Sequence, residues 1–90
     1  MAVKVYRFTA SWCQPCKALA GLLKRENIVI KEVIDIDEHP NAKELTSHYG
    51  VRTVPTIIID YGNGDFTRIV GSDISPVNRD LLKSWTGSVT

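Results

Sequence analysis

Hydrophobic and polar positions alternate at the start of the chain and then change to a helical period. Residues Val3–Phe8 alternate, with Lys4 among the polar positions, which predicts a strand. Apolar positions then recur every three or four residues, the spacing of one helix face. They are Cys16, Leu19, Ala20 and Leu23. Pro15 lies in the first turn, where its missing N–H removes no intrahelical bond, and Asn27 is expected to end the helix.

The next segment, Ile28–Asp37, is rich in isoleucine and valine and predicts a buried strand with an acidic exit. A helix between two strands makes them parallel neighbours with a right-handed crossover. Pro40 is then expected to open a short helix that Gly50 ends. The expected inner face of this helix comprises Ala42, Leu45 and Tyr49.

The last third of the sequence predicts a hairpin followed by a helix. Thr56–Asp60 and Phe66–Val70 are separated by a glycine-rich segment, which favours an antiparallel pair. Ser75 is expected to cap a terminal helix that begins with Pro76. Its expected inward positions are Val77, Leu81, Leu82 and Trp85. The order βαβαββα predicts an α/β fold, a four-stranded mixed sheet flanked by helices.

Composition favours one small domain, residues 1–90, since 43% of the 90 residues are hydrophobic and 23% are charged. No apolar run approaches the roughly 18 residues of a membrane span. The net charge of +1 provides no field for nucleic acid or an anionic membrane. The first dozen residues lack the pattern of a secretion signal, so a cytoplasmic location is expected. Nothing in the sequence indicates an oligomer, so a monomer is expected.

The chemistry is expected to lie at Cys13 and Cys16, a C-x-x-C pair that follows the first strand and enters a helix, the pattern of a thiol–disulfide redox motif. Cys13 is placed at the helix N-terminus, which favours its thiolate, whereas burial of Cys16 favours the thiol. Lowering the pKa of Cys13 from about 8.5 to around 7 requires about 2 kcal/mol, roughly what a helix terminus supplies in a partly buried site. Cys13 is therefore the expected nucleophile and Cys16 the resolving cysteine.

A structural cysteine pair and half of a zinc site are the alternatives. A zinc site needs four ligands. The only histidines are His39 and His48, nine residues apart, and they are interpreted as surface residues. We expect neither a metal nor a resident cofactor.

The run from Trp12 to Lys17, W-C-Q-P-C-K, resembles the thioredoxin active-site sequence W-C-G-P-C-K, with Gln14 in place of glycine. Thr53-Val54-Pro55-Thr56 resembles the loop in which thioredoxins and glutaredoxins hold a cis-proline. Phe66–Asp73 resembles the last strand and its glycine. The resemblance covers nearly the whole chain and implies a minimal thioredoxin-like fold without the family's additional N-terminal strand and helix.

The resemblance also implies roles for residues around the cysteines. Pro55 would be cis, leaving the backbone of Val54 free to pair with an extended substrate. Trp12, Val70 and Gly71 would line the substrate groove, while Gln14 and Pro15 would tune the redox pair. The implied activity is reduction of disulfide-containing proteins, with a flavoprotein thioredoxin reductase upstream.

Two departures from the thioredoxin pattern concern proton transfer. Arg7 stands where thioredoxins carry a buried aspartate, and Val33 stands at the place of its lysine partner. Arg7 either lies under the active-site helix, where it favours thiolate, or reaches solvent and has no role in the chemistry. Asp35 and Asp37 are alternative proton acceptors, although the polar exit of a strand is the favoured explanation for both.

Two other functions remain open from the sequence. A glutaredoxin-like enzyme that uses glutathione is the first, because the chain is compact and carries Gly71-Ser72-Asp73 after the last strand. Glutaredoxins usually read C-P-Y-C, however, whereas here Pro15 occupies the other variable position. Iron–sulfur bridging is less favoured still, for the same reason. The second is a binding module without redox activity that uses the same groove.

Overall fold

The computed structural model describes residues 3–86, which form four strands and three helices in the predicted order βαβαββα. The elements are β1 (Lys4–Thr9), α1 (Gln14–Arg25), β2 (Glu32–Asp35), α2 (Ala42–Tyr49), β3 (Thr56–Asp60), β4 (Phe66–Val70) and α3 (Pro76–Thr86). None of these helices is long and apolar enough to cross a membrane.

The strands form one mixed sheet with the spatial order β2-β1-β3-β4. β1 runs parallel to β2 and antiparallel to β3, and β4 returns antiparallel to β3 as a hairpin. Arg7 in the centre of β1 lies opposite Val33 on one side and Ile57 on the other. The parallel pair and the hairpin are therefore both confirmed.

Because side chains alternate along a strand, the core is divided between the two faces of the sheet. The aliphatic face, which α1 and α3 cover, buries Leu19, Leu23, Ile28, Ile30, Ile57, Ile59, Ile69, Ile74 and Leu82. The aromatic face, which α2 covers, buries Phe8, Ile34, Ala42, Tyr49 and Ile58, with Tyr6 partly buried beside them.

The predicted C-terminal ends of α1 and α2 and the predicted start of α3 are confirmed. Asn27 follows the end of α1 with a φ of 58°, and Gly50 ends α2 with a φ of 64°. A glycine is favoured at position 50 because, without a Cβ atom, it adopts this left-handed conformation at little cost in free energy. The hydroxyl of Ser75 accepts a hydrogen bond from the N–H of Asn78 at 3.2 Å, which caps α3.

The prediction for the second strand was wrong in extent. β2 contains only Glu32–Asp35, because the register with β1 begins at Tyr6 and Glu32. Ile28 and Ile30 are nevertheless buried in the aliphatic face, so they belong to the core although they lie in the loop between α1 and β2. Likewise α2 begins at Ala42, and Pro40 lies in the turn before it.

Some predicted inward positions were also wrong. Ala20 is exposed on α1, and Val77 is 76% exposed on α3. Trp85 contacts Tyr61 edge-on, with ring centroids 5.6 Å apart, but remains exposed. Among the described residues of α3 only Leu82 is fully buried, so a single leucine anchors that helix most deeply.

Candidate active site

The two cysteines are joined by a disulfide at the start of α1. Cys13 is the N-cap, and its Sγ accepts a hydrogen bond from the backbone N–H of Cys16 at 3.2 Å. Pro15 occupies the first turn, as expected. Cys13 is 4% and Cys16 2% exposed, so in the oxidised form burial hardly distinguishes them. The asymmetry between the two sulfurs comes instead from the cap, because only Cys13 receives an amide of the helix terminus.

The loop before β3 lies against Cys13. The Val54–Pro55 peptide bond is cis, as the resemblance implied. The carbonyl oxygen of Val54 lies 3.6 Å from Cys13 Sγ. The N–H of Gly71 donates to the carbonyl of Pro55 at 3.0 Å, and this bond ties the loop to the end of β4.

A groove of about 570 Å³ opens beside the disulfide. Its lining residues come from the segment before α1, from the turn after β2, from α2 and from the loop before β3. They are Trp12, Ile36, Ala42, Lys43, Thr46, Val51, Arg52, Thr53 and Val54. Trp12 is 65% exposed, and its Nε1 donates to Asp37 Oδ2 at 2.8 Å. This bond fixes a large apolar surface beside Cys13.

Val70 lies in a separate depression of about 420 Å³, on the other side of the same loop. Thr53 and Arg52 border both depressions. Val70 is 56% exposed, and the adjacent Gly71 contacts the loop through its backbone. Trp12 and Val54 thus line one groove, and Val70 lines the other depression.

Arg7 is half-buried on the sheet face that α1 and α3 cover, and burial lowers the pKa of its guanidinium. Its side chain makes no hydrogen bond or ion pair within residues 3–86. Gln14 and Pro15 are exposed in the first turn of α1.

The acidic residues at the end of β2 and just after it have structural partners. Asp35 Oδ1 accepts the N–H of Asp37 at 2.9 Å, and Asp37 holds Trp12. His39 Nδ1 accepts the N–H of Asn41 at 3.0 Å. Across the described part of the chain no three His, Cys, Asp or Glu side chains come together in a way that could hold a metal ion.

A hydrogen-bonded pair with shifted pKa values lies away from the cysteines, where the Tyr49 hydroxyl donates to Asp60 Oδ2. Burial and this carboxylate raise the pKa of Tyr49, and the hydrogen bonds from Tyr49 and from the N–H of Gly62 lower the pKa of Asp60. The pair joins the end of α2 to the end of β3.

Sequence reasoning missed part of the groove. Lys43, Thr46 and Arg52 had no signal that linked them to the cysteines, because α2 and the following loop bring them there. The Trp12–Asp37 bond joins residues 25 positions apart. The only signal in the sequence near this bond was the Asp-x-Asp pattern at the end of the predicted strand, which includes Asp37.

A C-x-x-C disulfide at the start of the first helix, with a cis-proline loop against it, defines the thioredoxin-like class of domain. The glutaredoxin family model matches residues 3–62. The chain therefore belongs to the thioredoxin-like family, which includes glutaredoxins and thioredoxins.

Curated relatives of the chain are thioredoxins. Thioredoxin H5 of Oryza sativa subsp. japonica is 39% identical over 77% of this chain and 52% of its own length. The thioredoxin of Chlamydia caviae is 35% identical over 71% of this chain and 64% of its own length. The match thus spans between about half and two thirds of the length of each of these relatives.

The fold is also similar to that of solved thioredoxins. A mutant thioredoxin from Halobacterium salinarum superimposes with a TM-score of 0.63 and 32% identity. The match covers 98% of this chain and 78% of that one. The predicted fold class is therefore confirmed.

Proposed function

We propose that this chain is a dithiol–disulfide oxidoreductase that reduces disulfides in proteins. The observation that carries the proposal is the Cys13–Cys16 disulfide at the start of α1, with Cys13 as the N-cap. In the disulfide form the N–H of Cys16 donates to the Cys13 sulfur, and after reduction the same amide would favour the thiolate of Cys13, the nucleophilic form. The thioredoxin relatives support the same chemistry.

The reaction proceeds in two exchanges. The Cys13 thiolate attacks one sulfur of the substrate disulfide, forms a mixed disulfide and expels the other substrate sulfur as a thiolate. Cys16, as its thiolate, then attacks Cys13 Sγ and releases the second substrate sulfur. Two electrons pass to the substrate, which leaves as two thiols after taking up two protons. The protein is left with the Cys13–Cys16 disulfide of the structure.

The residues around Pro55 supply substrate contacts in this proposal. The N–H of Val54 has no hydrogen-bond partner within residues 3–86, so it can pair with an extended substrate strand. The exposed side chains of Trp12 and Val70 would contact such a strand from either side. Gln14, Pro15 and Arg7 would tune the redox pair.

Insulin reduction with dithiothreitol as electron source tests the activity. We expect the wild-type protein to accelerate precipitation of the insulin chains and Cys13→Ser to return the rate to that of dithiothreitol alone. Cys16→Ser should accumulate a mixed disulfide with substrate, visible by mass spectrometry. No acceleration by the wild type, together with partner binding that survives replacement of both cysteines, would show a binding module instead.

The electron donor in this proposal is a flavoprotein thioredoxin reductase. The match to the glutaredoxin family model favours glutathione as the second candidate. Insulin reduction with NADPH and thioredoxin reductase would identify the flavoprotein as the electron donor. Turnover of hydroxyethyl disulfide with glutathione, glutathione reductase and NADPH would identify glutathione instead.

A further inference from the structure

The groove beside Cys13 carries two positive side chains and no carboxylate among its lining residues. Lys43 enters from the first turn of α2, and Arg52 enters from the loop that leads to Val54. The other lining side chains are neutral. Most of these neutral side chains are apolar, and the charged side chains that line the groove have one sign.

Both cations are available to a ligand. Lys43 and Arg52 are exposed, and neither side chain forms an ion pair or hydrogen bond with any residue between Val3 and Thr86. Asp37 is a nearby carboxylate that accepts the indole N–H of Trp12 and does not line the groove. Glu44 follows Lys43 on α2 and does not line the groove.

We propose that Lys43 and Arg52 select substrate proteins that carry aspartate or glutamate beside the disulfide to be reduced. This inference rests on the proposed function and adds a substrate class to it. An extended acidic segment would place apolar atoms on Trp12 and its carboxylates near the two cations. Because the whole chain has a net charge of only +1, the attraction is local to the groove.

The same two cations serve the exchange reaction. Carboxylates beside a disulfide repel an approaching thiolate and would slow attack by Cys13. Lys43 and Arg52 offset this repulsion while the segment is bound. The selected substrates would therefore be those that a groove without cations reduces poorly.

Binding is tested with three peptides that contain serine in place of the reacting cysteine, so that no exchange occurs. The peptides differ only at the two positions on each side of that serine, which are all Asp, all Asn or all Lys. The probe is the indole N–H resonance of Trp12 in the ¹⁵N-labelled oxidised protein. The indole of Trp85, on α3, is the internal control.

At low salt we expect the Asp peptide to bind about five- to tenfold more tightly than the isosteric Asn peptide, the preference that two exposed charge pairs provide. At 0.5 M salt, where the Debye length is roughly 4 Å, the preference should fall below about twofold. Only the Trp12 resonance should move with the Asp peptide.

The decisive variant is Lys43→Gln/Arg52→Gln, which should lose the preference. Its matched control is Lys24→Gln/Lys31→Gln, which removes the same charge from exposed lysines outside the groove. Lys43→Glu/Arg52→Glu should reverse the order and favour the Lys peptide. An unchanged Trp85 resonance reports that each variant is folded.

Equal binding of the Asp and Asn peptides, or an equal loss in both glutamine variants, would overturn the inference. Reduction of the corresponding cystine peptides separates it from the proposed function. If the Asp peptide binds selectively but none of the three is reduced, the groove stands and the oxidoreductase proposal fails. If all three bind and are reduced equally, the activity stands and the substrate class is wrong.

Discussion

The two faces of the sheet are built by different kinds of interaction. The aliphatic face consists almost entirely of isoleucine and leucine side chains between the sheet and the helices α1 and α3. The aromatic face brings the ring of Tyr49 to 5.5 Å from Tyr6 and 5.0 Å from Phe66, with its hydroxyl bonded to Asp60. Aliphatic burial is strong but not directional, whereas rings and hydrogen bonds fix orientation. The helix that carries the cysteines thus lies on the aliphatic face, and α2, which forms a groove wall, lies on the face where rings and hydrogen bonds fix orientation.

The largest effect is expected on the aliphatic face. Leu82→Ala should lower the free energy of unfolding by about 3 kcal/mol, because it empties a fully buried site under α3. Urea unfolding measures this loss. Val77→Ala is the matched control on the same helix and should change the stability by less than about 0.5 kcal/mol, since its side chain is mostly exposed. Similar losses in both variants would contradict the assignment of the two positions.

A smaller effect is expected on the aromatic face. Tyr49→Phe should cost about 1 kcal/mol at pH 7, a value reduced for the partial exposure of Asp60. Asp60 has a lowered pKa in the folded protein, so its contribution is present above pH ~4 and is lost as the pH falls through that lowered value. Tyr49 has a raised pKa, so its contribution is present below pH ~10 and is lost as the pH rises through the raised value.

The pH profile therefore distinguishes this bond from an ordinary one. Urea unfolding of wild type and Tyr49→Phe should differ most between about pH 4 and pH 10 and converge in stronger acid. Tyr61→Phe is the control from the other face, because Tyr61 bonds the neutral hydroxyl of Thr67 at 2.7 Å. The stability that Tyr61→Phe loses should not change as the pH falls below about 4. An acid-independent loss for Tyr49→Phe would show that its hydroxyl acts without the Asp60 charge.

The smallest effect is expected at the rim, where Glu26 after α1 meets Lys83 at 3.0 Å and Arg79 at 3.4 Å. These cations on α3 lower the pKa of Glu26. Its contribution is thus present above pH ~4.3 and is lost as the pH falls through the lowered value. Glu26→Gln should lower the thermal midpoint at pH 7 by less than Tyr49→Phe does, and 0.5 M salt should shrink the difference. A larger shift than that of Tyr49→Phe would contradict this order.

Local sequence signals predicted the elements that local interactions define. Thr56–Asp60 was predicted with its observed bounds, because a run of β-branched residues is enclosed by Pro55 and a glycine-rich turn. Ile28 has the same composition signal, yet β2 begins only at Glu32. The extent of β2 depends on its pairing with β1, which is distant in the sequence. A buried isoleucine in a loop cannot be distinguished by sequence from a buried isoleucine in a strand.

The site divides in the same way. Cys13 and Cys16 could be found because a helix N-terminus and a two-residue spacing are readable locally. The cis bond before Pro55 came from family resemblance, since most proline bonds are trans. Lys43 and Arg52 could not be found, because only the path of the chain after β2 brings them beside Trp12.

The N-cap of α1 has a consequence for observing the protein at work. The sulfur that accepts the amide proton of Cys16 is the one whose bonding changes at every step of the proposed cycle. A thiolate is the strongest acceptor of the three forms that this atom takes, and a disulfide sulfur is a weak one. Hydrogen exchange of that single amide would therefore report the redox state of the pair from inside the backbone, without a chemical label on either cysteine.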